Sequence, residues 1–448
     1  MPLALIVLAA GKGTRMESDL PKVLHRIAQA PMLWHAMRAG YRLAPDHTIV
    51  VAGHGADAVE AAAKDYDPDA HIVLQTEQLG TAHAVGQALP LLEVFDGDVI
   101  VLYGDTPFIS EETLHAMTEA RRTHDVVVLG FEAADPARYG RLVTDGDDLL
   151  KIVEYKDATE DERAITLCNS GVVAADRATL ASLIAEVGND NASGEFYLTD
   201  IVGLARARGL TATVVRCPEA ETLGVNSRAD LAQAEAAFQA YMRAQAMEDG
   251  VTLAAPETVF FAWDTVIGRD AEVEQNVVFG PGVTVETGAR IRAFSHLEGA
   301  HVSRGAVVGP YARLRPGAEL AEDVHVGNFV EVKNAVLHEG VKANHLTYIG
   351  DAEIGEKTNI GAGTITCNYD GVFKHRTVIG KNAFIGSDTM LVAPVTVGDG
   401  AMTASGSTIT KDVPAGAMAI ERAEMTIKDG FATKMFNMLK ARKAKQRN

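Results

Sequence analysis

At 448 residues the chain exceeds one ordinary core, so two domains are expected. Hydrophobic residues at 47% and charged residues at 23% describe a soluble globular protein, and no apolar stretch reaches the roughly 18 to 20 residues of a membrane span. The net charge of −19 argues against nucleic acid as a general partner, so an anionic ligand must be met by a local basic pocket.

The chain starts with LIVLAAGKGTRM (5–16), an apolar run that stops at a glycine. The run lacks a basic leader and a cleavage pattern, so it reads as a core strand, not a signal peptide. TIVVAG (48–53), HIVLQ (71–75), DVIVLYGD (98–105) and DVVVLG (125–130) read likewise as strands buried on both faces. Amphipathic helices such as TLHAMTEARR (113–122) lie between them. This alternation predicts a Rossmann-like α/β domain with a mostly parallel sheet over residues 1–226. In such sheets ligands gather at the carboxyl ends of the strands.

Gly11 and Gly13 let backbone N–H groups approach an anion there, and Arg15 and Lys22 (in DLPKVL) add positive charge. The turn matches neither a Walker A loop nor G-x-G-x-x-G, and alone it reads equally as a plain tight turn. Asp105, closing LYGD at the same edge, can hold Mg²⁺ bridging phosphate oxygens. Its bland alternative is a helix N-cap before Pro107. Asn226 in GVNSR is either a second oxygen ligand or a turn former.

Residues 227–250 are alanine-rich and proline-free, which predicts a linker helix. After residue 264 the apolar period becomes six. Ile267, Val273, Phe279, Val285, Ile291 and Leu297 follow it, as do Val302, Val308, Leu314, Leu320, Val326 and Val332. Ile354 and Ile360 resume it, then Ile379, Ile385, Leu391, Val397, Thr403 and Ile409. A period of six fits neither helix nor strand; it fits a left-handed parallel β-helix of hexapeptide repeats over 251–430.

Four stretches break this rhythm: ARLRPG (312–317), VEVKNA (330–335), NHLTYIG (344–350) and TCNYDG (366–371). Function is expected where a repeat departs from itself. They carry Arg315, Lys333, His345, Tyr348, Asn368 and Tyr369, a set able to hold a sugar phosphate beside a general base. A histidine can take a proton from an attacking amine near neutral pH, although a lone one in a solenoid also reads as a surface side chain. Cys168, Cys217 and Cys367 are few and far apart, which fits a reducing, cytoplasmic setting and gives no disulfide or zinc framework. Cys367 reads as a small packed residue. The basic, acid-free tail (431–448), from Lys434 to Asn448, reads as solvated or disordered.

LAAGKGTRM, LPKVLH, EQLGTAHAV, YGDTP, YGRLV, IVEYKDA, NSGV, GEFYLTD and GVNSR stand here in the order seen in nucleotide-sugar pyrophosphorylases. With the hexapeptide half, residues 3 to 425 resemble the bacterial bifunctional N-acetylglucosamine-1-phosphate uridylyltransferase / glucosamine-1-phosphate acetyltransferases. The resemblance implies a nucleotidyltransferase domain that takes UTP and N-acetylglucosamine 1-phosphate, and a second domain that acetylates glucosamine 1-phosphate from acetyl-CoA.

By the same resemblance, Leu8, Ala9, Ala10, Gly11, Arg15, Lys22, Gln75, Gly80 and Thr81 meet uridine and phosphates, with Gln75 and the backbone near Ala10 reading the uracil edge. Tyr103, Gly104, Gly140, Glu154 and Asn169 meet the sugar, and Asp105 and Asn226 hold Mg²⁺. In the second domain His345 is the catalytic base, and Arg315, Lys333, Tyr348 and Asn359 bind glucosamine 1-phosphate. Ala362, Asn368, Tyr369, Ser387, Ser405 and Arg422 match acetyl-CoA contacts, with Asn368 resembling the partner of the thioester or its developing oxyanion. Ser405 departs from the alanine frequent in the family. The resemblance implies a homotrimer sharing its acetyltransferase sites between subunits; no nucleic-acid or membrane partner is expected. The alternatives are a pyrophosphorylase making ADP-glucose or GDP-mannose with a purely structural tail, and a scaffold that lost its chemistry.

Overall fold

The computed structural model describes residues 2–446, and every count refers to these; Arg447 and Asn448, the end of the basic tail, lie outside the described residues. The chain forms two compact units, Met1–Met242 and Arg243–Asn448, and the division falls within the helix Arg228–Glu248.

The first unit is built on nine strands: β1 (Leu3–Ala9), β2 (His47–Ala52), β3 (His71–Leu74), β4 (Asp98–Tyr103), β5 (Val126–Glu132), β6 (Arg141–Asp145), β7 (Asp148–Val153), β8 (Leu167–Asp176) and β9 (Ala212–Arg216). They lie in the order β3-β2-β1-β4-β8-β5-β9-β7-β6. All seven residues of β1 are buried, because two apolar layers cover it. Ala4, Ile6 and Leu8 join the layer of Val85, Leu180 and Ile201, while Leu5 and Val7 join the layer of Leu33, Val59 and Leu114. Alternation along the strand thus feeds opposite faces, which is why such a strand reads as a continuous apolar run.

The sheet is parallel through β3-β2-β1-β4, with Ile6 opposite Ile49 on one side and Val101 on the other. β8 runs antiparallel between β4 and β5, and β7 antiparallel between β9 and β6. The other seven of the nine point one way, so the ends of β1 and β4 deliver residues 10–16 and 104–106 to one edge. One expectation needs correction. HIVLQ is not buried on both faces: β3 is the sheet's edge, and Leu74 is 55% exposed.

The second unit is the left-handed parallel β-helix anticipated from the six-residue period. Strands of two to seven residues pair in parallel with partners one coil away: Ile267 with Val285, Val273 with Ile291, and Leu314 with Val332. Of the inward positions named above, all but Ile267 are buried. Thr403, the polar member, is buried with partners: its Oγ1 accepts from the Gly386 N–H at 3.0 Å and lies 3.0 Å from Thr389 Oγ1.

Three of the four stretches expected to break the rhythm keep the stack. Arg313 pairs with Glu331 and Tyr348 with Glu331, so 312–317, 330–335 and 344–350 lie on successive coils. The rhythm itself shortens within them, from six residues to five between Val332 and Leu337 and between Ile349 and Ile354, and after Cys367, where Ile360 pairs with Ile385 and Ile365 with Met390, extra residues form a loop over 368–376. Of the two readings of the tail the solvated one holds: Phe431–Lys445 is a helix, exposed at every residue. Among the described residues no helix is long and apolar enough to cross a membrane.

Leu314, fully buried, tests the stack. Leu314→Ala should lower the stability of the second unit by about 2–5 kcal/mol, read from the denaturant midpoint of the full chain; an unchanged midpoint would mean the core does not rest on this column.

Candidate active sites

The first site lies beyond the carboxyl ends of β1 and β4. The Gly104 N–H donates to Leu8 O at 3.0 Å, tying the two strand ends together. After Ala10 the chain enters an open turn, with nothing within 4 Å of where a Gly11 side chain would begin. Gly13 is required for two reasons: its φ is +59°, and a Cβ there would stand 2.6 Å from Lys22 Cβ. The glycine turn therefore makes room for Lys22.

Lys22 is the centre of the arrangement. Its ammonium pairs with Asp105 Oδ2 and donates to Asn226 Oδ1 at 3.0 Å. Both groups are largely buried, with side-chain exposures of 13% and 20% for Lys22 and Asp105. Asp105 is thus no helix cap; Ser110 caps the following helix by accepting from the Thr113 N–H. Two hard oxygens from β4 and the GVNSR segment converge on one cationic point. This donor pair fits Mg²⁺, which takes few protein ligands and completes its shell from phosphates and water. Among the described residues no group of three or more His, Cys, Asp or Glu forms a metal cluster. Arg228, from the same segment, donates to Met16 O at 3.1 Å and holds the far side of the turn. Arg15 is exposed on the short helix Thr14–Met16.

Gln75 is buried behind β2. Its amide nitrogen donates to Gly80 O at 3.0 Å and lies 3.1 Å from His83 Nδ1. Both amide protons are thereby committed, which leaves Oε1 free to accept. His83 had no signal in the sequence beyond its place in EQLGTAHAV. Thr81 accepts from the Leu198 N–H at 2.9 Å.

The proposed sugar contacts also gather. The Asn169 N–H donates to Gly140 O at 2.9 Å, and a Cβ on Gly140 would lie 3.4 Å from Glu154 Oε1. Thr199 donates to Glu154 Oε1 at 3.2 Å. Burial raises the Glu154 carboxyl above the usual carboxylate range. Burial, then the neighbouring Asp105 carboxylate, raises the Tyr103 phenol above its ordinary value.

The second site is a corner of the β-helix. Strands Lys342–His345, Asn359–Ile360, Phe384–Ile385, Met402–Thr403 and Met418–Ala419 are successive members of one sheet. Their following corners carry His345, Ala362, Ser387, Ser405 and Arg422. Backbone bonds link them coil to coil: the Gly363 N–H to His345 O, the Asp388 N–H to Ala362 O, and the Gly406 N–H to Ser387 O. Close stacking requires glycines, since a Cβ on Gly361 would stand 2.5 Å from Ser387 N and one on Gly386 2.6 Å from Ser405 N. Arg422 lies beside Gly406. From His345 to Ser405 there are three strand steps, roughly 14 Å at the usual spacing. The row suits an elongated ligand.

His345 is exposed, and its Nδ1 lies 3.1 Å from Asn328 Oδ1. The amide oxygen can only accept, so it places the ring proton on Nδ1 and a lone pair on Nε2. Asn328 was not foreseen; it is found only through the register that pairs it with His345. Arg315 donates to Glu331 Oε1 at 2.8 Å, and Glu331 pairs in register with Tyr348. Lys333 lies opposite Gly350 on the next coil. The Lys374 ammonium beside it, then Arg315, hold Lys333 below the usual lysine range. Lys374 was also missed, although it follows the NYDG segment closely. Asn359 continues the column of Lys342. Tyr369 is exposed, and its hydroxyl donates to Gly371 O within its own loop.

The model for the MobA-like NTP transferase domain matches residues 5–193, and that for the bacterial transferase hexapeptide (six repeats) matches residues 376–411. The chain therefore joins an NTP transferase domain to a hexapeptide transferase domain. It is 69% identical over 444 residues to the bifunctional protein GlmU of Ruegeria sp. (strain TM1040), covering 99% of each chain. It is 65% identical to that of Jannaschia sp. (strain CCS1), covering 98% of this chain and 97% of that one. A GlmU of Cereibacter sphaeroides is 69% identical over 98% of this chain and 97% of its own. The chain belongs to the bifunctional GlmU family.

Gly13→Ala should drive Lys22 from its place and lower nucleotidyl-transfer kcat/KM more than about tenfold, with the hexapeptide half's activity unchanged. Steady-state kinetics on the full chain would check it; equal loss in both halves would refute the local account. Glu154 gives a pH test. Its folded pKa is raised, so ionisation penalises the folded state once the pH exceeds the unfolded value. Glu154→Gln should therefore raise Tm at pH 8 and leave it unchanged at pH 3, where both forms are neutral.

Proposed function

We propose that this chain makes UDP-N-acetylglucosamine by two transfers, acetylating glucosamine 1-phosphate in the second unit and uridylylating the product in the first. The observation that carries the first half is the convergence of Asp105 and Asn226 on the Lys22 ammonium at the mouth of the glycine turn.

In the first transfer site, Leu8, Ala9, Ala10, Gly11, Gly80 and Thr81 line the nucleotide. Gln75 Oε1 accepts from the uracil edge. Tyr103, Gly104, Gly140, Glu154 and Asn169 hold the sugar, which puts its phosphate oxygen in line with the α-phosphorus of UTP. The new P–O bond forms as the bond to the β-phosphate breaks, and pyrophosphate leaves. Lys22 and Arg15 stabilise the developing charge. Asp105 and Asn226 would hold Mg²⁺, which supplies charge neutralisation between the phosphates when bound.

In the second site, Arg315, Lys333 and Lys374 hold the sugar phosphate, with Tyr348 and Asn359 beside it. Acetyl-CoA lies along the row Ala362, Ser387, Ser405 and Arg422, with Asn368 and Tyr369 meeting it from the loop 368–376. His345 Nε2 takes the amine proton as nitrogen attacks the thioester carbon, and the CoA thiolate leaves. Asn328 fixes the tautomer in which the neutral ring carries its lone pair on Nε2. No thiol nucleophile takes part, and Cys168, Cys217 and Cys367 are all free, as suits a reducing cytoplasm.

The working form is a homotrimer with the second site completed by a neighbouring copy. The support is a ladder of exposed rings on one corner: Phe294 stacks on Tyr311 at 4.8 Å and Tyr311 on Phe329 at 5.3 Å, with exposed Leu346 on the next coil beside His345. Exposed apolar ladders of this size mark contact surfaces.

Asp105→Ala should abolish pyrophosphate release from UTP and N-acetylglucosamine 1-phosphate while sparing thiol release from acetyl-CoA and glucosamine 1-phosphate. His345→Ala should do the reverse, each loss exceeding about a hundredfold. If either change removes both activities from folded protein, the division of labour is wrong.

A further inference from the structure

The loop 368–376 is anchored by one carboxylate that has no role in the account above. Asp351 Oδ1 accepts from Asn334 Nδ2 at 2.6 Å, and its Oδ2 accepts from Asn368 Nδ2. Asn368 is only 7% exposed. Its backbone carbonyl in turn accepts from the His375 N–H at 2.8 Å, closing the loop. We propose that Asp351 is the positioning residue that fixes the amide of Asn368 for acetyl transfer.

A carboxylate accepts and cannot donate, so the nitrogen of the Asn368 amide must face Asp351. That same nitrogen lies 3.5 Å from the Tyr348 hydroxyl, so both its protons point at protein. The amide oxygen is the atom left over. Asn368 therefore presents an acceptor to the site, suited to a substrate N–H. It does not present a donor to the thioester oxygen, the role that the sequence resemblance implied.

Asp351 is built for this task. It holds a left-handed backbone, φ +48°, at a corner of the strand Tyr348–Ile354, directly below Asn334 at φ +44°. Non-glycine residues persist there only when their surroundings hold them. Burial works against its charge, but the Asn334 and Asn368 amides and the Lys374 and Lys333 ammoniums outweigh it and hold the carboxyl below its usual range. Asp351, Asn334 and Lys374 line a cleft of about 460 Å³ with His375, Arg376 and Gly317. Orienting an acceptor toward the amine keeps its lone pair aimed at the thioester carbon while His345 removes the proton.

This proposal rests on the reading that Asn368 belongs to the acetyl-transfer site, and the test separates the two. Acetylation of glucosamine 1-phosphate by the full chain would be measured for Asp351→Ala, Asn368→Ala and the double variant, with Tm as the check on folding. Asp351→Ala should lower kcat roughly 10- to 100-fold. The KM for glucosamine 1-phosphate should hold or fall, because Lys333 and Lys374 lose a neutralising neighbour. General loosening of the loop would instead raise KM. In the Asn368→Ala background the same change should cost less than about twofold, since there is nothing left to orient. Asp351→Glu, which keeps an acceptor, should recover part of the rate and serves if the alanine variant does not fold. Equal losses in both backgrounds, or full kcat in Asp351→Ala, would overturn the proposal. Full kcat in Asn368→Ala would sink the reading beneath it, and the proposal with it.

Discussion

Parallel register is the constraint on which both halves depend. When strands run the same way in step, every strand end falls on one edge, and residues far apart in sequence become neighbours without a dedicated contact. In the first unit the register of β1 with β4 sets Leu8 beside Tyr103, so the glycine turn and Asp105 emerge together. In the second, pairing coil by coil turns a sequence interval into a vertical column, and His345, Ala362, Ser387 and Ser405 line one corner.

That constraint explains why glycine matters more at some places than its count suggests. Gly361 and Gly386 serve the stack by letting backbone touch backbone, and a methyl at either would push adjacent coils apart. Gly13 serves one side chain, giving Lys22 its space. Packing and chemistry thus meet in the same residues. The corner proposed to bind is also the corner that must stay thin.

Much of this was legible because burial leaves a periodic trace. A period of two in β1 was hidden by two-sided burial, yet its length and its glycine stop still marked a core strand. The period of six named the β-helix outright. What stayed hidden is what periodicity does not encode. HIVLQ has the composition of an inner strand, and only its place at the end of the sheet exposes it. The stretch around Arg315 looked like a break because polar residues fill its outward positions, while those around Lys333 and His345 do shorten the six-residue spacing to five yet keep their inward residues in the stack. Asn328, Lys374 and Asp351 gave no signal at all, since each acts through a partner on another coil or at the far end of a loop.

An acidic protein that handles phosphates must keep its cations where they are useful. Here two are held by oxygens, Lys22 by Asp105 and Asn226 and Arg315 by Glu331, and Lys333 and Lys374 lie in the field of the Asp351 carboxylate. A flexible lysine loses side-chain entropy when it binds, and a partner that restrains it beforehand removes that loss from the binding step. On the proposed reading, an arriving phosphate replaces one oxygen with another, at little reorganisation. The same partners repel a second anion that approaches without its own countercharge. Carboxylates, whose surplus argues against nucleic acid as a partner, thus also place the cations of the proposed sites.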